Sequence, residues 1–205
     1  MLTFYYFPAA CSLVTNMALE EAGANYQPVL VDLLGDRSDY YKINPTGKVP
    51  AVVADGELLT ENVAILYWIA KSYPDKMLLP NSTSKAAKAL SFLSWCSNTA
   101  HIAYRQSRVP ARFTPDQSVH NALAIAGREA YTQALEKVNK MLEKRQWFLG
   151  DQFSICDCYA TLLYDWGARN EFPMSDFECY TQYINNVLTR PSARKALTMH
   201  HSPLI

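Results

Sequence analysis

Cys11 stands in the run FPAACS at residues 7–12, directly after an apolar strand signal and at the first turn of a helical pattern. Amides at a helix start lack partners and favour an anion, so a thiol there is drawn toward its thiolate and gains reactivity. Ser12 follows and can donate a hydrogen bond to the sulfur. On position alone, a buried structural thiol is an equal reading. Val14 occupies the place of a second cysteine, which excludes a local C-x-x-C dithiol.

Two further spots carry chemistry. Val49-Pro50 lies between a Gly47-Lys48 turn and an apolar strand, where a cis bond would leave the preceding backbone free to pair with an extended peptide. An ordinary proline opening a strand explains the same residues. Thr60-Glu61-Asn62 precedes a helix, so Glu61 can grip an ammonium while helix amides take a carboxylate, the two charged ends of an amino acid. Helix capping is the commoner account of such a triplet.

The elements that must place these residues fall into two groups. Leu2 to Phe7 reads as a strand, Ser12 to Ala22 as a helix stopped by Gly23, and Tyr26 to Leu33 as a second strand. Gly35 to Lys42 is a polar loop or short helix. Pro50 to Ala54 and Glu57 to Thr60 form a hairpin about Asp55-Gly56, and Glu61 to Tyr73 is an amphipathic helix ended by Pro74. After a connector at Met77 to Ser84 the strand signals cease. Lys85 to Arg112, ended or kinked by Pro110, and Asp116 to Lys144 are long helical patterns. Ser154 to Asp157 reads as a capping box opening a helix toward Ala168, and shorter helices span Asp176 to Leu188 and Ser192 to Met199. The expected domains are therefore residues 1–76, α/β, and residues 85–205, all helical, joined by a linker at 77–84.

Bulk composition narrows the partners. The 205 residues are 49% hydrophobic, enough for a buried core, and nineteen basic side chains balance nineteen acidic ones. No global field draws nucleic acid or an anionic membrane surface, and no apolar window is long enough for a membrane span. The N-terminus lacks the pattern of a signal peptide. Five scattered cysteines make a poor disulfide framework and suit a reducing, cytoplasmic setting. Cys156 and Cys158 point about 200° apart on a helix, so no metal pair is expected. Cys96, Cys156, Cys158 and Cys179 read as core filler.

Four motifs in order resemble the glutathione transferase family: the P-A-A-C-S opening, N-P-x-G-x-V-P at Asn44 to Pro50, T-E-x-x-A-I at Thr60 to Ile65, and G-x-x-F-S-I-x-D at Gly150 to Asp157. The first looks most like the bacterial beta class, in which a cysteine stands at the sulfur site. The resemblance covers nearly the whole chain. It implies an α/β thioredoxin-like N-terminal domain plus an all-α C-terminal helical domain, and a homodimer. The implied activity is detoxifying transfer of glutathione, the co-substrate, to a small electrophile held between the domains. Its rivals are a glutathione-dependent monothiol oxidoreductase or peroxidase working through Cys11, and a non-catalytic adaptor of the same fold.

Carried over by position, the family implies that Cys11 faces the glutathione sulfur, with Ser12, His101 and Tyr6 as further catalytic positions. It implies that the backbone at Val49 and Pro50 pairs with the cysteinyl part, and that Glu61 and the Asn62 amide hold the γ-glutamyl end. Ser94 and the Asn98 to Ala100 turn match further pocket positions. His101 is otherwise a helix-packing histidine, and Tyr6 a core aromatic. Three departures stand out. Asn62 replaces the usual Ser or Gly. Ile102 stands where beta enzymes often carry Lys. The loop at Leu34 to Ser38 is short and lacks a glutathione-binding lysine, for which Arg37 is the substitute. These departures bear on turnover more than on binding.

Overall fold

The computed structural model describes residues 1–205. Strand β1 (Leu2–Tyr6) leads through helix α1 (Ser12–Ala22) to β2 (Tyr26–Leu30), and a short helix α2 (Ser38–Ile43) leads to the hairpin β3 (Ala51–Ala54) and β4 (Glu57–Thr60). The sheet order is β2-β1-β3-β4, with β1 parallel to β2 and antiparallel to β3. Pro28, which has no amide to donate, sits in the edge strand β2. Helix α3 (Asn62–Ser72) closes this unit. The result is the thioredoxin-like α/β arrangement that the element order predicts.

Beyond residue 82 every regular element is helical: α4 (Thr83–Trp95), α5 (His101–Arg108), α6 (His120–Met141), α7 (Ile155–Arg169), α8 (Glu178–Val187) and α9 (Pro191–Met199). Between α4 and α5, Cys96–Ala100 forms one π-helical turn, so a single rod runs from Thr83 to Arg108. The extra residue of such a turn rephases the helix that follows it. Gly127 of α6 lets that rod approach closely, because a Cβ there would meet the Ser107 amide at 2.5 Å.

Local chemistry explains the boundaries. Gly23 ends α1 in the left-handed region at φ 66. Asp55 and Gly56 both take positive φ, as a tight hairpin of this twist requires. Strand β2 stops three residues earlier than its apolar run, because Asp32 turns the chain by accepting from the amides of Leu34 and Gly35. The rod ends at Arg108, just before Pro110, and α6 ends before Lys144, which adopts φ 57.

The capping box at α7 is complete. Asp157, fully buried, accepts from the Ser154 amide and hydroxyl, the Phe148 amide and the Tyr183 hydroxyl, at 2.6–2.7 Å. One hydrophobic cluster joins β1, α1 and α3 to α4 and α6 through α9. Helix α1 is buried on every face from Ser12 to Leu19, packing on α3, α7 and α9.

Candidate active site

The sheet, α1 and α3 on one side and the rod with α7 on the other enclose a cavity of about 210 Å³. Cys11, Val49, Pro50, Glu61, Asn62 and His101 all line it. These six were picked from sequence positions up to ninety residues apart, and the fold brings them to one place.

Cys11 opens α1, and its Sγ donates to the Val49 carbonyl at 3.3 Å. The Val49-Pro50 bond is cis. The loop before Cys11 is pinned from the helical half: Trp166 Nε1 donates to the Ala9 carbonyl at 2.9 Å, and the Ala9 amide donates to the His200 carbonyl at 3.3 Å. Cys11 keeps part of its surface open to the cavity. Burial nonetheless pushes its thiol up to about 11, with Arg105 the first group pulling the other way. This corrects the expectation of a depressed pKa. The helix start does not win, because the amides of Leu13 and Val14 already donate to the carbonyls of Ala10 and Cys11.

Ser12 also departs from expectation. Its hydroxyl donates to the Phe7 carbonyl at 3.1 Å and accepts from the Phe7 amide, so it braces the loop and leaves the sulfur alone. Asn62 has a similar bracing role. It is buried, its Nδ2 donates to the Cys11 carbonyl at 3.0 Å, and its Oδ1 accepts from Thr15. Asn62 thereby ties the start of α3 to the start of α1, a contact that Gly could not make.

Glu61 is exposed, holds φ 68 and makes no capping hydrogen bond. A non-glycine residue in that region costs on the order of 1–3 kcal/mol, a strain concentrated at functional positions. Its carboxylate stands at the cavity beside the first amides of α3, which a helix leaves without internal partners. The capping account of this triplet is therefore not realised.

His101 follows the π turn. Its ring meets Trp166 edge-on at 4.7 Å, and Arg105 Nη2 lies 3.3 Å from its Nε2. Burial, then the charge of Arg105, lowers its pKa to about 4. With the guanidinium donating to Nε2, the proton of this neutral imidazole sits on Nδ1.

Besides Ser12, four candidates from the sequence do not line the cavity. Tyr6 packs between Phe4 and the buried ring of His200. Arg37 donates to the Gly47 carbonyl and lies over the Tyr41 ring. The Ser94 carbonyl accepts from Ser97, and exposed Asn98 accepts from Thr99. Ser97, Lys48, Thr46, Arg105 and Tyr159 do line the cavity, none of them singled out from sequence. Arg105 was within reach of sequence reasoning, since it stands one helical turn after His101.

A thioredoxin-like unit and a helical unit closing over a cysteine, a cis proline and a strained acid define a thiol-handling enzyme class. Residues 1–71 match the glutathione S-transferase N-terminal domain family, and residues 109–191 match the C-terminal domain family. Glutathione S-transferase GstA of Escherichia coli O157:H7 is 30% identical over 203 residues, 96% of this chain and 98% of that protein. A glutathione transferase homologue from Sulfitobacter, solved with bound glutathione, superposes with TM-score 0.91 at 27% identity over 97% of this chain and 98% of that one. A bacterial beta-class glutathione S-transferase from Sphingomonas chungbukensis gives TM-score 0.84 at 32% identity, covering 99% and 100%. The chain belongs to the glutathione S-transferase family of enzymes.

Proposed function

We propose that this protein transfers glutathione to a small electrophile in the cavity between its sheet and its helical rod. The observation that carries the proposal is Glu61, held at positive φ beside unpaired α3 amides, across from the Val49 backbone and the Cys11 sulfur. An ammonium fits Glu61, a carboxylate fits the amides, and an extended peptide fits the backbone before Pro50. In that pose Cys11 is a neighbour of the glutathione sulfur. The glutathione thiolate attacks, and His101 Nδ1–H and nearby amides stabilise it. The raised Cys11 thiol favours this reading over thiol–disulfide exchange, where Cys11 itself must be the thiolate.

Calorimetric titration with glutathione on the native protein and on Glu61→Gln tests it. Loss of a charge-assisted contact of about 1.5–3 kcal/mol weakens affinity roughly 10- to 150-fold. The melting temperature should hold, because exposed Glu61 forms none of the ion pairs and no side-chain hydrogen bond. Equal affinity with a lower melting temperature rejects the assignment.

The same reading proposes a cytoplasmic homodimer. Residues 1–76 carry nine acidic and five basic side chains, and the remainder ten acidic and fourteen basic. An apolar groove of about 590 Å³ on the helical half, floored by Phe92, Trp95 and Phe148, is rimmed by Lys85, Lys88 and Lys137 and by no acid. A twofold pairing that sets the acidic half of one copy on this groove of the other satisfies both features. Light scattering at low and high salt should give twice the chain mass.

A further inference from the structure

Arg105 is half-buried in the cavity wall and takes part in none of the protein's five ion pairs. Its guanidinium has one hydrogen-bond partner, the ring of His101 at 3.3 Å. A guanidinium carries five N–H donors, so most of this fork is unmatched and faces the cavity. Fourteen residues line that space, and they include two full cations, Lys48 and Arg105, against one carboxylate, Glu61.

The proposed glutathione pose accounts for most of these charges. Glu61 takes the ammonium and the α3 amides take the γ-glutamyl carboxylate. Lys48 precedes Val49 in the loop before β3, the segment whose backbone would pair with the tripeptide, and so stands on the side of the glycine carboxylate. Arg105 comes from the opposite wall, one turn beyond His101 on the helical rod. It is the cation left over, and it faces the space where the second substrate must sit. Planar two-point donation to a carboxylate is what such a fork matches best.

We propose that Arg105 makes the electrophile side of this cleft a carboxylate receptor, so that the protein's second substrates are acidic electrophiles. The inference rests on the glutathione reading above and adds the substrate class to it. Ile102, beside His101 in the same wall, supplies apolar surface for the body of such a molecule.

Two aryl chlorides of matched shape test the idea, 4-chloro-3-nitrobenzoate and the neutral 4-chloro-3-nitrobenzamide. In both, glutathione thiolate attacks the carbon bearing chlorine, the C–S bond forms, and chloride leaves with the pair of the broken C–Cl bond. The thiol proton goes to water. We expect kcat/KM for the acid to exceed that for the amide at least tenfold. In Arg105→Gln that ratio should fall at least tenfold, through KM of the acid, and Arg105→Lys should recover part of it. An unchanged ratio in Arg105→Gln overturns the proposal. So does a loss of glutathione affinity in that variant, which would give Arg105 to one of glutathione's own carboxylates. A native protein that binds no glutathione overturns the underlying reading instead, an outcome seen before any aryl chloride is added.

Discussion

Replacing Asp157 by alanine should be strongly damaging to the helical half. The carboxylate is fully buried and accepts four hydrogen bonds, two of them from the backbone amides of Phe148 and Ser154. Hydroxyls can turn toward other acceptors, whereas amides are fixed by the chain. Each amide stranded without water costs about 1–3 kcal/mol, and loss of a helix cap adds roughly 1 kcal/mol. Set against this is relief from burying a charge, because desolvation holds the Asp157 pKa above its usual range despite those donors. The balance is a loss of about 3–5 kcal/mol, the range typical of breaking a buried charged network. At about 2–4 °C per kcal/mol for a chain of this size, the melting temperature falls by roughly 6–20 °C. Asp157→Asn keeps the shape and one acceptor oxygen but turns an NH₂ toward donors, so it should lose at least half as much. Urea and thermal unfolding followed by circular dichroism measure both variants. A loss under about 1 kcal/mol in Asp157→Ala, or native stability in Asp157→Asn, refutes the reasoning.

Cys11 should alkylate along a pH profile centred near 11, and Cys11→Ala should keep conjugating activity, since the attacking thiolate belongs to glutathione. A Cys11 profile centred below 9, or loss of every glutathione-dependent activity in the variant, favours the monothiol oxidoreductase. Acid should weaken the fold through His200, whose buried ring nitrogens have no partner and whose pKa is lowered from 6.5 to about 3. Above pH 6.5 neither state binds the proton, and stability is full. As pH falls toward 3 the unfolded chain takes up a proton that the folded one refuses, costing up to about 1.4 kcal/mol per pH unit. His101 adds in the same direction down to about pH 4. His200→Phe should flatten the decline of urea midpoints below pH 6.5, and an unchanged slope counts against the assignment.

Features governed by near neighbours in the chain were legible from sequence. Gly23, Asp55-Gly56 and the Ser154–Asp157 box each set a boundary through contacts spanning a few residues. The meeting of Cys11, Val49, Glu61 and His101 was legible too, because motif order implied the fold. Properties that depend on what fills the space around a group were not. The Cys11 thiol looked acidic from its helix position, but burial decided the matter. Ser12 looked free to reach the sulfur until the Phe7 backbone claimed both its donor and its acceptor capacity. Ser97 was passed over because it lies in the π turn at Cys96–Ala100, whose extra residue is unseen in a 3.6-residue pattern and helps set which face of the rod meets the cavity.

Helix α1 has no solvent face along Ser12 to Leu19, and α7 and α9 of the helical half help to cover it. The sheet half is therefore not a module that can be lent to another partner. Cut free, it would expose Leu13, Met17 and neighbouring side chains that belong to the shared cluster. The bidentate pair of Arg190 with Glu21, at 2.6 and 2.7 Å, fastens the same seam at its rim. The chain should consequently melt in one cooperative step. The cleft can then open only by local loosening at its mouth, since hinging one half against the other would tear the common core.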